Sequence, residues 1–362
     1  MKYIVKDIIS YVLAIKTAWA LAAKKGEKEV RLNLTGNILT ATAMGGGAIL
    51  HSSIEVEGVL DGTVWVDGAQ LVKVSSLVPV GRELTVTLGQ ALMYQVQGYA
   101  SQDIVLCASH PTLPNDMGVK TQLFSGASVD LTSLNCEDGK ALSTLSLQDY
   151  GVVLNSNISG AVIRTIIPTA YTCALPVFTE VSVHILTIMK KMKEAVLYHH
   201  GKSYLGLVDG CVELLVPLTD FAKNDVVDTI SALPSVYTLR VQQSDFLSAL
   251  NWSALSTPTS VTLSYNDPFP YIELTVTGTT SPTKIAMTQQ ESEDMEDAIL
   301  TMGDNKYAPT TLLSALSALP KGLITLTGKS FPATDNEKAM DMLLLSSHSD
   351  SGTTDVLVSA LA

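Results

Sequence analysis

An α+β fold of three like domains is what the sequence predicts, and three observations carry that expectation. The chain of 362 residues is too long for one ordinary hydrophobic core. Its apolar residues switch repeatedly between the 3.6-residue period of a helix and the two-residue period of a strand. The same order of helix, strands, helix, strands recurs three times along its length, which is the mark of an internally repeated architecture.

The first round opens on residues 8–23, where Ile8, Val12, Ile15 and Trp19 share one helical face and Ser10, Thr17 and Lys24 lie opposite. Lys2 and Lys6 precede this apolar stretch, but Asp7 and Lys16 interrupt it, and it falls short of the roughly 20 residues a membrane span needs. It reads as an amphipathic helix stopped at Gly26, not as a leader or a span. Strands follow at 30–34, 38–44 and 48–59, with turns at Gly36-Asn37 and at the glycines 45–47. A second helix over 68–77 is ended by Pro79 and Gly81, and strands run from Leu84 to Leu106.

The second round has a weak helix candidate at 128–145, strands at 150–154, 161–167 and 171–177, a helix at 181–193, and strands at 195–198, 203–208 and 211–218. The third begins with a helix at 244–255, which Ser244 or Asp245 can cap. Strands at 260–265, 271–277 and 283–288 lead to a helix at 309–319 and strands at 323–327 and 340–346. The exit Leu77-Val-Pro-Val-Gly-Arg-Glu-Leu-Thr-Val-Thr87 in round one parallels Leu319-Pro-Lys-Gly-Leu-Ile-Thr-Leu-Thr327 in round three. Both put Pro and Gly between a leucine-rich helix and a Thr-alternating strand. The expected domains are therefore 1–117, 118–235 and 236–348, with a tail at 349–362.

Bulk composition excludes several function classes. Apolar residues make up 46% and charged residues 16%, so the chain folds and carries a modest surface charge. A net charge of −12 argues against a surface that is a nucleic-acid footprint throughout, and leaves room for a local basic face. Cys107, Cys136, Cys173 and Cys211 show no metal-ligand spacing, which fits a reducing, cytoplasmic compartment.

No phosphate loop, zinc helix or nucleophile elbow is present, so no enzyme activity, cofactor or metal is expected. Gly328-Lys-Ser330 lacks a correctly spaced partner glycine, and glycines 45–47 sit between strands and read as a hairpin turn. His199 and His200 are adjacent on a strand and point to opposite faces. The acidic run Glu291, Glu293, Asp294, Glu296 and Asp297 reads as a solvated loop. Lysine placement is more informative. Residues 8–25 and 181–193 contain no acidic residue, yet they hold Lys16, Lys24, Lys25, Lys190, Lys191 and Lys193, and the helix between them adds Lys73. Those near helix C-termini also read as charges facing the macrodipole.

The chain resembles the bacterial DNA polymerase III beta subunit, the DNA sliding clamp family. The residues that carry the resemblance run from Ser53-Ile-Glu-Val-Glu57 through Val66-Asp-Gly-Ala-Gln-Leu-Val-Lys-Val-Ser-Ser-Leu77 to Glu83-Leu-Thr-Val-Thr-Leu88, and element order extends it over nearly the whole chain. The resemblance implies three repeated DNA-clamp domains, with helices lining a central hole and antiparallel sheets outside. Two chains would close a ring around double-stranded DNA, gripped without regard to sequence through Lys16, Lys24, Lys25, Lys73, Lys190, Lys191 and Lys193. It also implies DNA polymerase and a clamp loader as partners, in the cytoplasm of a bacterial or phage-infected cell and without membrane attachment.

A partner-binding pocket would draw on Thr165, Pro168, Tyr171, Val227 and Leu345. Here the sequence departs from the family: Arg164-Thr165 aligns, but the following turn is Pro168-Thr-Ala-Tyr-Thr-Cys173, with Tyr171 where the family has histidine. The end of the chain, Asp355-Val-Leu-Val-Ser-Ala-Leu-Ala362, replaces a short family terminus, and Val356, Leu357 and Val358 are expected to pack beside the pocket and compete with partner motifs. The Thr, Ser and Val content with low charge also admits a β-rich structural protein of a virus shell.

Overall fold

The computed structural model describes residues 1–23, 28–114, 119–123, 128–134, 143–158, 160–169, 177–201, 203–219, 226–255, 259–265, 271–276, 283–286, 305–331 and 340–361. It divides into two compact units, Met1–Thr132 with Thr169–Asp220, and Ser133–Pro168 with Phe221–Ala362.

In chain order the elements begin with β1 (Lys2–Val5), α1 (Ile8–Ala22), β2 (Glu29–Thr35), β3 (Ile38–Gly45), β4 (Ala48–Glu55), β5 (Glu57–Leu60), β6 (Gly62–Asp67), α2 (Gly68–Ser76), β7 (Leu84–Leu88), β8 (Leu92–Val96) and β9 (Gln102–Ile104). The middle third holds β10 (Lys120–Gln122), β11 (Ser143–Gln148), β12 (Gly151–Ile158), β13 (Ala161–Pro168), β14 (Val177–Val181), α3 (Val183–Met189), β15 (Val196–His200), β16 (Tyr204–Asp209) and β17 (Val212–Pro217). Then come α4 (Val226–Ser231), β18 (Ser235–Gln242), α5 (Gln243–Ala254), β19 (Val261–Tyr265), β20 (Tyr271–Val276), β21 (Thr283–Ala286), β22 (Lys306–Tyr307), α6 (Pro309–Ala318), β23 (Leu323–Phe331), β24 (Met340–Ser349) and β25 (Gly352–Ser359).

One module, a strand, a helix and three strands, recurs through this list, as in β1-α1-β2-β3-β4 and β22-α6-β23-β24-β25. The leading strand of a module does not join its own three strands. Thus β1 pairs with β7 and β6 with β2, β10 pairs with β15, and β18 and β22 pair with β23 and β19. The exchange ties modules together in pairs through backbone hydrogen bonds, which are costly to leave unmade.

In the first unit the sheets run β5-β1-β7-β8-β9 and β10-β15-β16-β17-β4-β3-β2-β6. Their shared core packs Ile8, Tyr11, Ile15 and Ala18 of α1 against Leu32, Leu39 and Ala41. Asp67 caps α2 by accepting from the Gln70 N–H at 2.8 Å. A Cβ on Gly68, the first residue of α2, would stand 2.2 Å from the Trp19 ring, so glycine is what lets α2 close on α1. Within this core the hydroxyls of Tyr3, Tyr11, Tyr94 and Ser75 form a buried chain, with Tyr3 to Tyr11 at 3.1 Å and Ser75 to Tyr94 at 3.3 Å. Burial pushes the three phenols well above their ordinary pKa, so they stay neutral donors. Gly46 and Gly47, with φ of 60° and 81°, make the two-residue hairpin between β3 and β4 that left-handed backbone requires.

In the second unit the neighbours run β11-β12-β13-β25-β24-β23-β18 in one sheet and β21-β20-β19-β22 in another. Phe246, Leu250, Leu312 and Leu316 from α5 and α6 pack on Ile324, Leu326, Leu343, Leu345, Val356 and Val358.

Several sequence expectations are corrected. The strand at 48–59 breaks into β4 and β5 at Val56, whose N–H turns to the Asn37 carbonyl at 2.8 Å. The described parts of the helix candidate at 128–145 are not helical: Val129 bridges Ala195, Leu131 donates to the Met192 carbonyl, and residues from Ser143 enter β11. The helix at 181–193 is shorter, because Lys193 and Glu194 give their N–H groups to Asp209 and turn the chain toward β15. Most important, the tail at 349–362 is not free. Residues of β25 form a strand between β13 and β24, with Val356 and Val358 fully buried in the core beneath α5 and α6.

Candidate nucleic-acid and partner interfaces

The basic helices lie together in the first unit, where α1 packs beside both α2 and α3. Lys16 on α1, Lys73 on α2 and Lys190 at the C-cap of α3 are all exposed. Lys191 and Lys193 are exposed too, but they stand in the turn after α3 and not on it. Lys24 and Lys25 lie outside the described residues. Along α1 the exposed face is not purely basic, since Ile9 and Leu13 are each 63% exposed beside Lys16. Cations thinly spread on helix surfaces can meet phosphates, and they present no base-reading constellation.

The partner-pocket residues are divided by the sheet of the second unit. Alternation along β13, β24 and β25 sends Ile163, Leu343, Leu345, Val356 and Val358 into the core under α5 and α6. Thr165 shares the parity of Ile163 and is 1% exposed, so Thr165 and Leu345 face away from Val227. On the opposite face Val227 and Ile230 of α4 gather with Leu344 and Leu357, and Val162, Leu233 and Met342 pack around them. Pro168 is exposed and has the parity of Val162 on β13, and Tyr171 lies outside the described residues. Leu344 and Leu357, not Leu345 and Val358, are therefore the strand residues of this patch. The run Leu343-Leu-Leu345 hid that choice, because three consecutive leucines carry no parity.

Beside the patch, Arg164 of β13 binds Asp355 of β25 with Nη2 at 2.8 Å and Nε at 3.3 Å, and Ser346 donates to the other carboxylate oxygen at 2.7 Å. Both charged side chains are 8% exposed. Removing one partner from such a pair strands a buried charge, typically costing about 3–5 kcal/mol.

A second polar group crosses β4 and β17 in the first unit, where His51 stands opposite Glu213. His51 shares a 2.8 Å hydrogen bond with Thr42, and Glu213 accepts from Lys120 at 2.7 Å and from the Tyr198 hydroxyl. Burial raises the Glu213 carboxyl, but the donors Lys120 and Tyr198 outweigh it and hold the acid below its usual range. Burial lowers the His51 imidazole more than Glu213 raises it. His199 and His200 fall on opposite faces of β15 as expected, His200 being buried. Cys136, Cys173 and the acidic run at 291–297 lie outside the described residues. Among the described residues no cluster of His, Cys, Asp or Glu could hold a metal ion, and no helix is long and apolar enough to cross a membrane.

No protein-family model and no curated protein matches the sequence. Solved structures do match. The chain is similar to Caulobacter crescentus pol III beta at 12% identity and TM-score 0.74, covering 100% of both chains. It is similar to the DNA polymerase sliding clamp of Pseudomonas aeruginosa at 10% identity and TM-score 0.75, covering 100% of this chain and 99% of that one. The beta clamp of Helicobacter pylori matches at 13% identity and TM-score 0.75, with 100% of each chain covered. The chain thus has the sliding-clamp fold from end to end.

Proposed function

We propose that this chain is a DNA sliding clamp, a processivity factor that encircles duplex DNA and tethers a polymerase. The observation that carries the reading is the full-length match to bacterial clamps at near-constant TM-score, on a chain whose strand-exchanging modules repeat throughout. Pairs of modules make three domains near 1–117, 118–235 and 236–348, with β25 closing the third.

The module joints support a homodimer. The last strand of one module meets the last strand of another at β4 with β17 and at β13 with β25. By the same rule β9 and β21, which end their sheets, are left to meet across two copies. Exposed apolar side chains accompany both edges: Val105 follows β9 at 67% exposure, and Trp252 and Leu255 stand near the end of α5, which packs on β21, at 73% and 78%.

In this reading Lys16, Lys24, Lys25, Lys73, Lys190, Lys191 and Lys193 face DNA, and polymerase and clamp loader dock beside α4, where the partly buried Val162, Leu233 and Met342 surround the buried Val227, Leu344 and Leu357. The test is topological. Loaded protein should be retained on nicked circular DNA, lost when the circle is linearised, and sediment as a discrete dimer. Equal retention on both DNA forms, or large assemblies indifferent to DNA, would overturn the reading in favour of simple binding or a shell protein.

A further inference from the structure

Lys329 is 6% exposed, yet among the described residues no carboxylate pairs with it. It projects from β23 on the face opposite Ile324 and Leu326, in register between Ser235 and Met342. Its Nζ donates to the carbonyls of Ser231 and Leu233 at 3.0 and 2.6 Å and to the Ser235 hydroxyl at 3.2 Å. Those carbonyls belong to the end of α4 and the residues just after it. A cation there meets both the unpaired acceptors and the negative end of the helix dipole. An α4 of six residues is far below the length at which a helix holds itself in water. It is seated by Val227 and Ile230 over Leu344 and Leu357, and Lys329 pins its far end. Burying an ammonium costs free energy that three acceptors only partly return, so the position is expensive to keep unless α4 must stay in one place. Burial lowers the lysine pKa, in line with that cost.

We propose that Lys329 is a positioning residue: its ammonium latches α4 to the sheet over a buried apolar cluster and so fixes one wall of the site at which a partner peptide docks. The inference rests on the partner-docking reading above and adds a residue to it. It explains why a lysine occurs in the outward row of β23, where Thr325 and Thr327 precede it.

Hydrogen exchange on the full chain tests the latch. In Lys329→Met the amides of α4 and of Ala232, Leu233 and Ser235 should exchange at least tenfold faster while β12 and β13 keep their rates, and Lys329→Arg should restore much of the protection. The milder Ser235→Ala, which removes one acceptor at an exposed residue, should give a smaller acceleration confined to the same amides. The dye 8-anilinonaphthalene-1-sulfonate should bind Lys329→Met more than wild type, because the patch is uncovered. Unchanged α4 exchange in both variants would overturn the proposal, as would equal acceleration throughout the sheet. Retention on nicked circles is scored on the wild type alone, so its failure counts against the clamp reading while the exchange pattern reports on the latch.

Discussion

His51 shows how a single side chain sets a pH limit. Its ring faces Glu213 and is also influenced by Lys120, Arg31 and His200, and burial dominates, holding its pKa below the ordinary 6.5. The unfolded chain therefore takes up a proton as pH falls through about 6.5 while the folded chain resists until lower pH. Stability is fully present above the unfolded value and is lost on acidification through the depressed folded value. Thermal unfolding between pH 7.5 and 5.5 should show a shallower loss in His51→Gln than in wild type, and identical slopes would show that another group is responsible. At this scale the lysines were legible as a segregation, because residues 8–25 and 181–193 hold lysines and no acid. The partition of Thr165 and Leu345 from Val227 was not, because it depends on which face of a strand the helices cover.

Among the elements, β25 departs furthest from expectation. Its residues looked like a polar, Gly-containing tail, yet they pair with β13 on one side and β24 on the other. A truncation after Ser349 would expose two strand edges, take Asp355 from Arg164, and remove Val356 and Val358 from the core. Each buried valine contributes about 1.5–3 kcal/mol against a typical total of 5–15. The truncated chain should lose the cooperative unfolding transition of the second unit by circular dichroism and calorimetry. A folded truncation with native β13 exchange would show that the strand is dispensable. Most other strands were readable from their Val, Thr and Leu alternation. Several elements escaped, among them α4, which is too short to show a period, and β18, which begins after Pro234 in a stretch that reads as a join.

For the whole molecule the question is whether the basic helices of a chain of net charge −12 can hold DNA. Changing Lys16, Lys73 and Lys190 together to Glu should abolish stimulation of polymerase processivity. Unfolding free energy should move by no more than about 0.5 kcal/mol per site, because all three are exposed. If the wild type contacts phosphates as proposed, its engagement of DNA before linkage should weaken with salt, while protein already linked to a circle stays on it. Full processivity with the triple variant would place the DNA contact elsewhere. The exposed Ile9 and Leu13 point to a shallower salt dependence than a wholly basic surface would give.

By itself the sequence determined the α+β class, the repeated order of helices and strands, and the segregation of lysines into the acid-free segments 8–25 and 181–193. These follow from local periodicity and composition, which act over a few residues. Only the tertiary structure decided which strands exchange between modules, that the last strand is central in its sheet, and which leucines of β24 meet α4. It also decided that Lys329 ends at the carbonyls of Ser231 and Leu233, nearly a hundred positions away in the chain. Pairings of that range are chosen by the burial of whole faces and the satisfaction of backbone groups, and neither is encoded in the spacing of neighbouring residues.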